Sequence, residues 1–373
     1  MSIDSTYRVR SLFPLALLSA AVLMIGCSRD AETTALMVTE DIEFVSGGKT
    51  LSGIMDQPAS RTAEALIVFV HGSGLTNVRE ENRYYDLRRR FAELGIASVV
   101  WDKPGLGRSN GEYDPNQPLE ESAQEVLDAV AYLRDKGVPG STKIGIWGTS
   151  RGGWVAPIAM SQDPAIKFWI SVSGVPAEDN KYYLMKSNLP LEGRTPQQTD
   201  QIMEEWKRGR QLFTEGAGYD DYLAATKTLR ADSSVLYFAG DLTRTRAEYE
   251  AEQRVYMEST ESIEFDEETF SVIRVKNFGE MLSRLDVDVL ALFGERDTNV
   301  DWRKARALYE SAIGEQSEAT LTVRTFPACN HSMNESETGS VREVEGTPLD
   351  SGVKCDGYYD SQIDWLNEYV VGE

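Results

Sequence analysis

Histidine is the scarcest useful residue in this sequence. Only His71 and His331 occur in 373 residues, so any chemistry that needs an imidazole has two candidates. Basic residues are also in deficit. Lys and Arg number 38 against 60 Asp and Glu, a formal net charge of −22, which repels polyanions and lacks the basic footprint of nucleic-acid binding. Nucleic acid is therefore not an expected partner. Internal repeats and low-complexity stretches are absent. With 41% hydrophobic and 26% charged residues, 30 Gly and 13 Pro, the composition is that of a globular protein rather than a collagenous, disordered or multi-span membrane chain. The length excludes a small stapled scaffold and suits one α/β unit with an insertion.

What is present begins with an apparent export leader. Arg8 and Arg10 precede an apolar run, Leu12 to Gly26, that is too short to span a bilayer comfortably. The run ends in Leu23-Met24-Ile25-Gly26-Cys27, which resembles the lipobox of bacterial lipoproteins. That resemblance implies cleavage before Cys27 and lipidation of Cys27, so that the membrane is reached by a lipid anchor only. Ser28, rather than Asp, next in the chain implies the outer membrane, facing the periplasm or the surface. Residues 1–26 are thus expected to be a signal peptide and 27–36 the anchor and linker, with the folded domain over 37–373. Setting Cys27 aside leaves Cys329 and Cys355 as a pair in an oxidising compartment, expected to form a disulfide. It would close a loop of about 26 residues and tie the chain just before His331. Two buried free thiols are the alternative.

Continuous apolar runs recur along the domain: Ala65 to Val70, Ile96 to Val100, Ile144 to Trp147, Phe168 to Val172, Val289 to Phe293 and Leu321 to Phe326. Continuous rather than alternating apolarity predicts strands covered on both faces, as in a parallel sheet. Helical patterns separate most of them, and an alternating strand and helix order predicts a mostly parallel, doubly wound α/β fold. Ahead of it, Ile42 and Phe44 alternate with acidic residues, then Gly47-Gly48 and a second run around Leu51 to Met55 predict a hairpin. One interval breaks the alternation. From about 178 to 284 there is helical signal without a clear buried strand, including a capping box at Thr195-Pro196-Gln197-Gln198. This predicts a helical cap inserted after the sixth strand, over the carboxyl edge of the sheet where ligands bind in open α/β folds.

Gly148-Thr149-Ser150-Arg151-Gly152 follows a predicted strand and precedes a predicted helix. A chain reversing that sharply at Ser150 needs small residues two before and two after, and the turn presents the hydroxyl at the top of the sheet. A serine hydroxyl is a weak nucleophile until a base takes its proton and a third group orients the base. His331, after the last strand, is the candidate base. Asp297, after Phe293-Gly294-Glu295-Arg296, is the candidate acid, with Glu295, Asp301, Glu178 and Asp179 as alternatives. The order Ser, Asp, His is that of the α/β-hydrolase triad. His71-Gly72-Ser73-Gly74 follows another buried strand, and small residues there let backbone amides approach a developing oxyanion. The amide of Ser73, with Gly74 as the neighbouring choice, and the amide of Arg151 are the candidate donors. His71 itself reads as a residue that fixes its loop, and Asp102 and Ser109 as residues that satisfy turn amides.

Taken together, the HGSG, DKPGLGRS, GTSRGG, FGERD and late NH segments resemble those of an α/β-hydrolase over roughly residues 40–371. The GxSxGGW elbow, completed by Trp154, is similar to that of bacterial esterases grouped with serine-aminopeptidase-like and dienelactone-hydrolase-like sequences. Arg151 stands where Gln or Met often follows the nucleophile, which would bring positive charge near the acyl site. The resemblance implies a carboxylesterase that takes a small-molecule ester and works by acyl transfer, with no metal and no organic cofactor. An aminopeptidase or amidase of the same fold is the alternative. It would need a carboxylate for the substrate's free amine, and the sequence singles none out. A non-catalytic surface-binding lipoprotein on this scaffold is a further alternative, opposed by the presence of every expected site residue.

Overall fold

The apolar runs become the interior strands of an eight-stranded sheet. In the computed structural model, which describes residues 36–240, 244–259, 263–315, 317, 319–344 and 352–372, the strands are β1 (Met37–Ser46), β2 (Lys49–Pro58), β3 (Ala65–Val70), β4 (Ile96–Trp101), β5 (Ile144–Thr149), β6 (Ile166–Val172), β7 (Asp288–Gly294) and β8 (Leu321–Phe326). Cys27 and the leader lie outside the described residues. The strand order is β1-β2-β4-β3-β5-β6-β7-β8. The first two form an antiparallel hairpin, β2 pairs antiparallel with β4, and every pairing from β4 through β8 is parallel. This is the mostly parallel, doubly wound arrangement of the α/β-hydrolase fold.

Burial on both faces explains the continuous apolarity. Successive side chains of a strand point to opposite faces. In β3, Leu66, Val68 and Val70 enter one core while Ala65, Ile67 and Phe69 enter the other. The first core is closed by α2 (Leu119–Asp135), α3 (Gly152–Gln162), α10 (Phe278–Ser283) and α11 (Trp302–Tyr309); the second by α1 (Tyr85–Leu94) and α12 (Tyr358–Leu366). Each fully buried Leu, Ile or Phe in these layers contributes roughly 1.5 to 3 kcal/mol. A buried ion pair between Arg88 of α1 and Asp56 of β2 ties that helix to the hairpin, and Arg88 Nε also donates to the Arg83 carbonyl at 2.8 Å, so the guanidinium is not left unsatisfied.

Between β6 and β7 the chain builds a helical insertion: α4 (Lys181–Asn188), α5 (Pro196–Thr214), α6 (Tyr219–Ala225), α7 (Lys227–Ala231), α8 (Ser233–Ala239) and α9 (Arg246–Glu258). Its own core holds Met185, Leu189, Ile202, Met203, Trp206, Leu229, Val235 and Phe238. Helix α5 starts where the capping box predicts. Thr195 accepts from the Gln198 amide at 3.3 Å, Gln198 accepts from the Thr195 amide at 2.9 Å, and Pro196 occupies the first helical position.

Candidate active site

The carboxyl ends of the parallel strands are in register. Val70 lies beside Gly148, Thr149 beside Val172, Val172 beside Leu292 and Gly294 beside Phe326. The loops leaving these ends carry His71, Ser150, Asp297 and His331, so residues far apart in sequence gather at one edge of the sheet.

Ser150 sits at the turn from β5 into α3 with φ 51, in the left-handed region that costs a side-chain-bearing residue energy. The glycines on either side show why the spacing matters. A Cβ at Gly148 would stand 2.9 Å from the Gly152 carbonyl oxygen, and one at Gly152 would stand 2.7 Å from that of Val70. The turn is anchored by the Ser150 amide, which donates to the Val172 carbonyl at 3.0 Å.

His331 Nδ1 lies 2.7 Å from Asp297 Oδ2. Asp297 is buried at 2% exposure, and its other oxygen accepts from the amides of Asn299 at 2.8 Å and Val300 at 2.9 Å. A carboxylate oxygen accepts, so Nδ1 of His331 is the donor to Asp297 and Nε2 is left facing away as the acceptor nitrogen. The alternative acids are otherwise engaged. Glu295 accepts from Thr325 at 2.8 Å, Asp301 caps α11 through the Lys304 amide, Glu178 pairs with Lys304, and Asp179 accepts from the amides of Lys181 and Val272. Cys329 and Cys355 are joined in a disulfide with their Cα atoms 5.9 Å apart, two residues ahead of His331.

The HGSG loop runs alongside Ser150: a Cβ at Gly72 would be 3.3 Å from Ser150 Cβ. Ser73 follows directly, and the amide of Arg151 lies at the N-terminus of α3, where helix amides lack intrahelical partners. His71 is buried, with Nε2 donating to the Trp101 carbonyl at 2.7 Å and Nδ1 facing the Tyr84 hydroxyl at 3.2 Å. Burial, with Lys103 and Arg83 nearby, pushes its pKa down to about 3, so it stays neutral and fixes the loop. Asp102 accepts from the amides of Val78 and Arg108, and Ser109 accepts from the Ser52 amide while donating to the Asp102 carbonyl.

Arg151 differs from expectation in one respect. Its side chain turns toward the start of α2, donating to the Gln117 carbonyl at 2.6 Å and to Ser122 Oγ at 3.0 Å. A carbonyl and a hydroxyl available there hold the guanidinium, so its charge is not aimed at the acyl site.

Two residues of the site escaped the sequence reading. Lys103 Nζ donates to the carbonyls of Gly72 at 2.6 Å and Gly74 at 2.8 Å, clamping the loop from below. Burial and then the neighbouring Arg151 push its pKa down to about 8, against the pull of Glu125. Its place in DKPG, after the strand beside the HGSG strand, was the available signal. Tyr183 of the insertion donates its hydroxyl to the Asp297 carbonyl at 3.1 Å, which joins α4 to the acid loop. Among the described residues no group of three or more His, Cys, Asp or Glu side chains is placed to hold a metal ion.

Comparison with known proteins gives the site a context. The profile of the X-Pro dipeptidyl-peptidase (S15) family matches residues 48–325. A polyketide transferase of Penicillium sp. is 29% identical over 142 residues, covering 38% of this chain and 47% of that protein. The quorum-quenching protein AidA of Acinetobacter baumannii is 32% identical over 115 residues, covering 30% of this chain and 36% of its own. The chain spans less than half the length of these curated relatives. Among solved structures, an esterase of Pyrococcus furiosus superposes with a TM-score of 0.51 at 14% identity, over 89% of this chain and 92% of that one, a likeness of fold.

Proposed function

The chain belongs to the X-Pro dipeptidyl-peptidase (S15) family and is a hydrolase of the α/β-hydrolase fold; from that premise we propose that it cleaves carboxylic esters by acyl transfer through Ser150, His331 and Asp297. The observation that carries this reading is the 2.7 Å bond from His331 to a buried, amide-held Asp297 at the edge where Ser150 is presented on a strained turn.

The proposed reaction runs in these steps. Ser150 Oγ attacks the ester carbonyl carbon while His331 Nε2 takes its proton. The carbonyl oxygen becomes an oxyanion facing the amides of Ser73 and Arg151, each such donor being worth about 3 to 4 kcal/mol of barrier. As the tetrahedral intermediate collapses, His331 returns the proton to the leaving alcohol oxygen. Water then attacks the acyl-Ser150 ester by the same route, releasing the carboxylic acid. Asp297 keeps Nδ1 protonated throughout and stabilises the imidazolium.

The family's name raises a dipeptidyl-peptidase as a second reading. Such an enzyme must hold a free α-ammonium with a carboxylate near the nucleophile. Here Glu178 is paired with Lys304, Asp179 accepts two backbone amides, and Lys181, two residues on from Asp179, is a cation. That environment disfavours an ammonium and supports an ester. A fluorophosphonate probe should label Ser150, and p-nitrophenyl esters of short acids should be turned over faster than X-Pro arylamides. Faster arylamide cleavage would overturn the ester reading, and labelling that persists in Ser150→Ala would remove Ser150 from its role. Export and lipid anchoring at Cys27 complete the proposal; an intact mass showing residues 1–26 retained would contradict them.

A further inference from the structure

In a chain of net charge −22, cations without carboxylate partners are unexpected, and three of them gather where the insertion meets the site. Lys181 opens α4, the helix whose Tyr183 bonds the Asp297 carbonyl. Arg274 lies on a segment paired with the chain after β6, its amide donating to the Ala177 carbonyl at 2.8 Å. Arg210 lies on α5. Among the described residues none of the three forms an ion pair with a carboxylate, whereas Arg244 beside them is paired with Glu252 at 2.9 Å.

Arg210 gives the second, independent observation. Its Nε is shut off from solvent and has no hydrogen-bond partner among the described residues, while its guanidinium rests over Trp206 at 5.2 Å and Phe265 at 5.7 Å. A shielded guanidinium nitrogen without an acceptor is costly unless something supplies one. Two aromatic faces hold the planar guanidinium in place, and its fork suits bidentate contact with a planar anion.

The charges also sense one another. Lys181 is pushed down chiefly by burial, with Asp179 opposing and Arg210, Arg274 and Arg244 adding to the fall; Arg210 is lowered by burial too, and Arg274 lowers Arg151, the residue next to the nucleophile. Lys181 and Arg274 are nonetheless open to solvent. Geometry ties them together: Phe265 beneath Arg210 bridges to Val272, two residues before Arg274, and the Val272 amide donates to Asp179, two residues before Lys181, so an excess of positive charge there concentrates anions. Two carboxylates lie close by: Asp179, whose oxygens accept the Lys181 and Val272 amides, and Glu178, which is paired with Lys304.

We propose that Lys181, Arg210 and Arg274 form an anion-binding subsite beside Ser150, so that the ester this enzyme takes carries a carboxylate elsewhere in the molecule. This rests on the esterase reading above and narrows its substrate to anionic esters. The carboxylate meets the Arg210 fork, with Arg274 and Lys181 supplying charge at the mouth, and the ester carbonyl reaches Ser150.

The test compares esters matched except for charge: p-nitrophenyl butyrate with mono-p-nitrophenyl glutarate, where the carboxylate is on the acyl side, and phenyl acetate with p-acetoxybenzoate, where it is on the leaving group. The full chain should favour the anionic member of at least one pair by about tenfold in kcat/KM at low salt, and that ratio should fall about tenfold in Arg210→Gln and in Arg274→Gln. Arg274 is exposed, so its variant should fold even where Arg210→Gln does not. Arg208→Gln, which removes the same charge from the exposed side of α5, should leave the ratio alone. A preference for the neutral ester in both pairs, or a ratio indifferent to both variants, overturns the subsite. A binding arm separates this from failure of the esterase reading: monomethyl glutarate should bind the Ser150→Ala protein in calorimetry, and bind about tenfold more weakly with Arg274→Gln added. Binding with that loss, even where no ester turns over, keeps the subsite and overturns only the esterase reading. No binding, or binding unmoved by Arg274→Gln, overturns the subsite.

Discussion

Ser173, the residue after β6, donates its hydroxyl to the backbone carbonyl of His331 at 2.7 Å. Its amide donates to the Leu292 carbonyl at 2.8 Å, while the preceding Val172 carbonyl receives the amide of Ser150 at 3.0 Å. One corner of chain, Val172-Ser173, therefore holds both the turn that carries Ser150, the proposed nucleophile, and the loop that carries His331, the proposed base. Ser173→Ala removes only the hydroxyl and leaves the half-buried His331 carbonyl without that donor. The expected result is a drop in kcat of roughly fivefold, from about 1 kcal/mol of lost positioning, with KM little changed. Steady-state kinetics on a p-nitrophenyl ester checks it; an unaltered kcat would mean that the disulfide alone holds the loop.

Asp297→Asn tests orientation rather than charge alone. The oxygen that accepts the Asn299 and Val300 amides can be kept by the new carboxamide, which then presents its NH2 to His331. An NH2 can only donate, so Nδ1 must become the acceptor and the proton moves to Nε2, where it blocks general-base action. A fall of about 10^4-fold in kcat is expected, with the thermal midpoint nearly unchanged because the loop amides stay satisfied. A variant that loses stability in proportion to activity would assign Asp297 a structural role instead.

Much of this site was legible in the sequence because it rests on local chemistry. Ser150 was marked by glycines that the turn requires, and the buried strands by runs that only a doubly covered sheet needs. Histidine scarcity left two candidate bases, and the order Ser, Asp, His along the chain selected His331 over His71. Lys103, Tyr183 and Arg210 were not legible, for a common reason. Each acts on a partner distant in sequence, the Gly72 and Gly74 carbonyls, the Asp297 carbonyl or the Phe265 ring, and long-range partners of single side chains leave no periodic trace. The direction of the Arg151 side chain was obscured likewise, since it depends on where the start of α2 places a free carbonyl. Among the five carboxylates weighed as the acid, the choice needed the structure, because spacing alone places several of them at the carboxyl edge.

Lys103 should give the enzyme an alkaline limit. Protonated, it holds the Gly72 and Gly74 carbonyls by charge-assisted bonds and so fixes the direction of the loop that supplies the Ser73 amide. Its pKa is down to about 8, with burial the foremost cause, so the charge is lost as pH rises through that value. Activity is therefore expected to fall on the alkaline side with a midpoint near pH 8, and Lys103→Met should lower kcat about tenfold at neutral pH and remove that limb. Arg at this position, which cannot deprotonate, should restore part of the activity and shift the limb upward. A pH profile of Lys103→Met that keeps the same alkaline midpoint would show that another group titrates there.

His71 should make the fold sensitive to acid. Its folded-state pKa of about 3 lies below the ordinary 6.5, because burial disfavours the imidazolium and Lys103 opposes it further. Between those two values the unfolded chain binds a proton that the folded chain refuses. Its contribution to stability is thus complete above about pH 6.5 and is lost progressively as pH falls toward 3. The Trp101 carbonyl that accepts from Nε2 favours the charged form but is outweighed by burial and Lys103, and a proton on Nδ1 would face the Tyr84 hydroxyl within the Phe69 and Trp147 aromatic cluster. His71→Gln keeps a donor and an acceptor but cannot titrate. It should be less stable than the native chain near pH 7 by about 1 to 2 kcal/mol through poorer packing, yet lose less stability between pH 6.5 and 4. Denaturant melts of both proteins at the two pH values decide the matter, since carboxylate titration is common to both and cancels in the difference. Equal losses would place the acid sensitivity elsewhere.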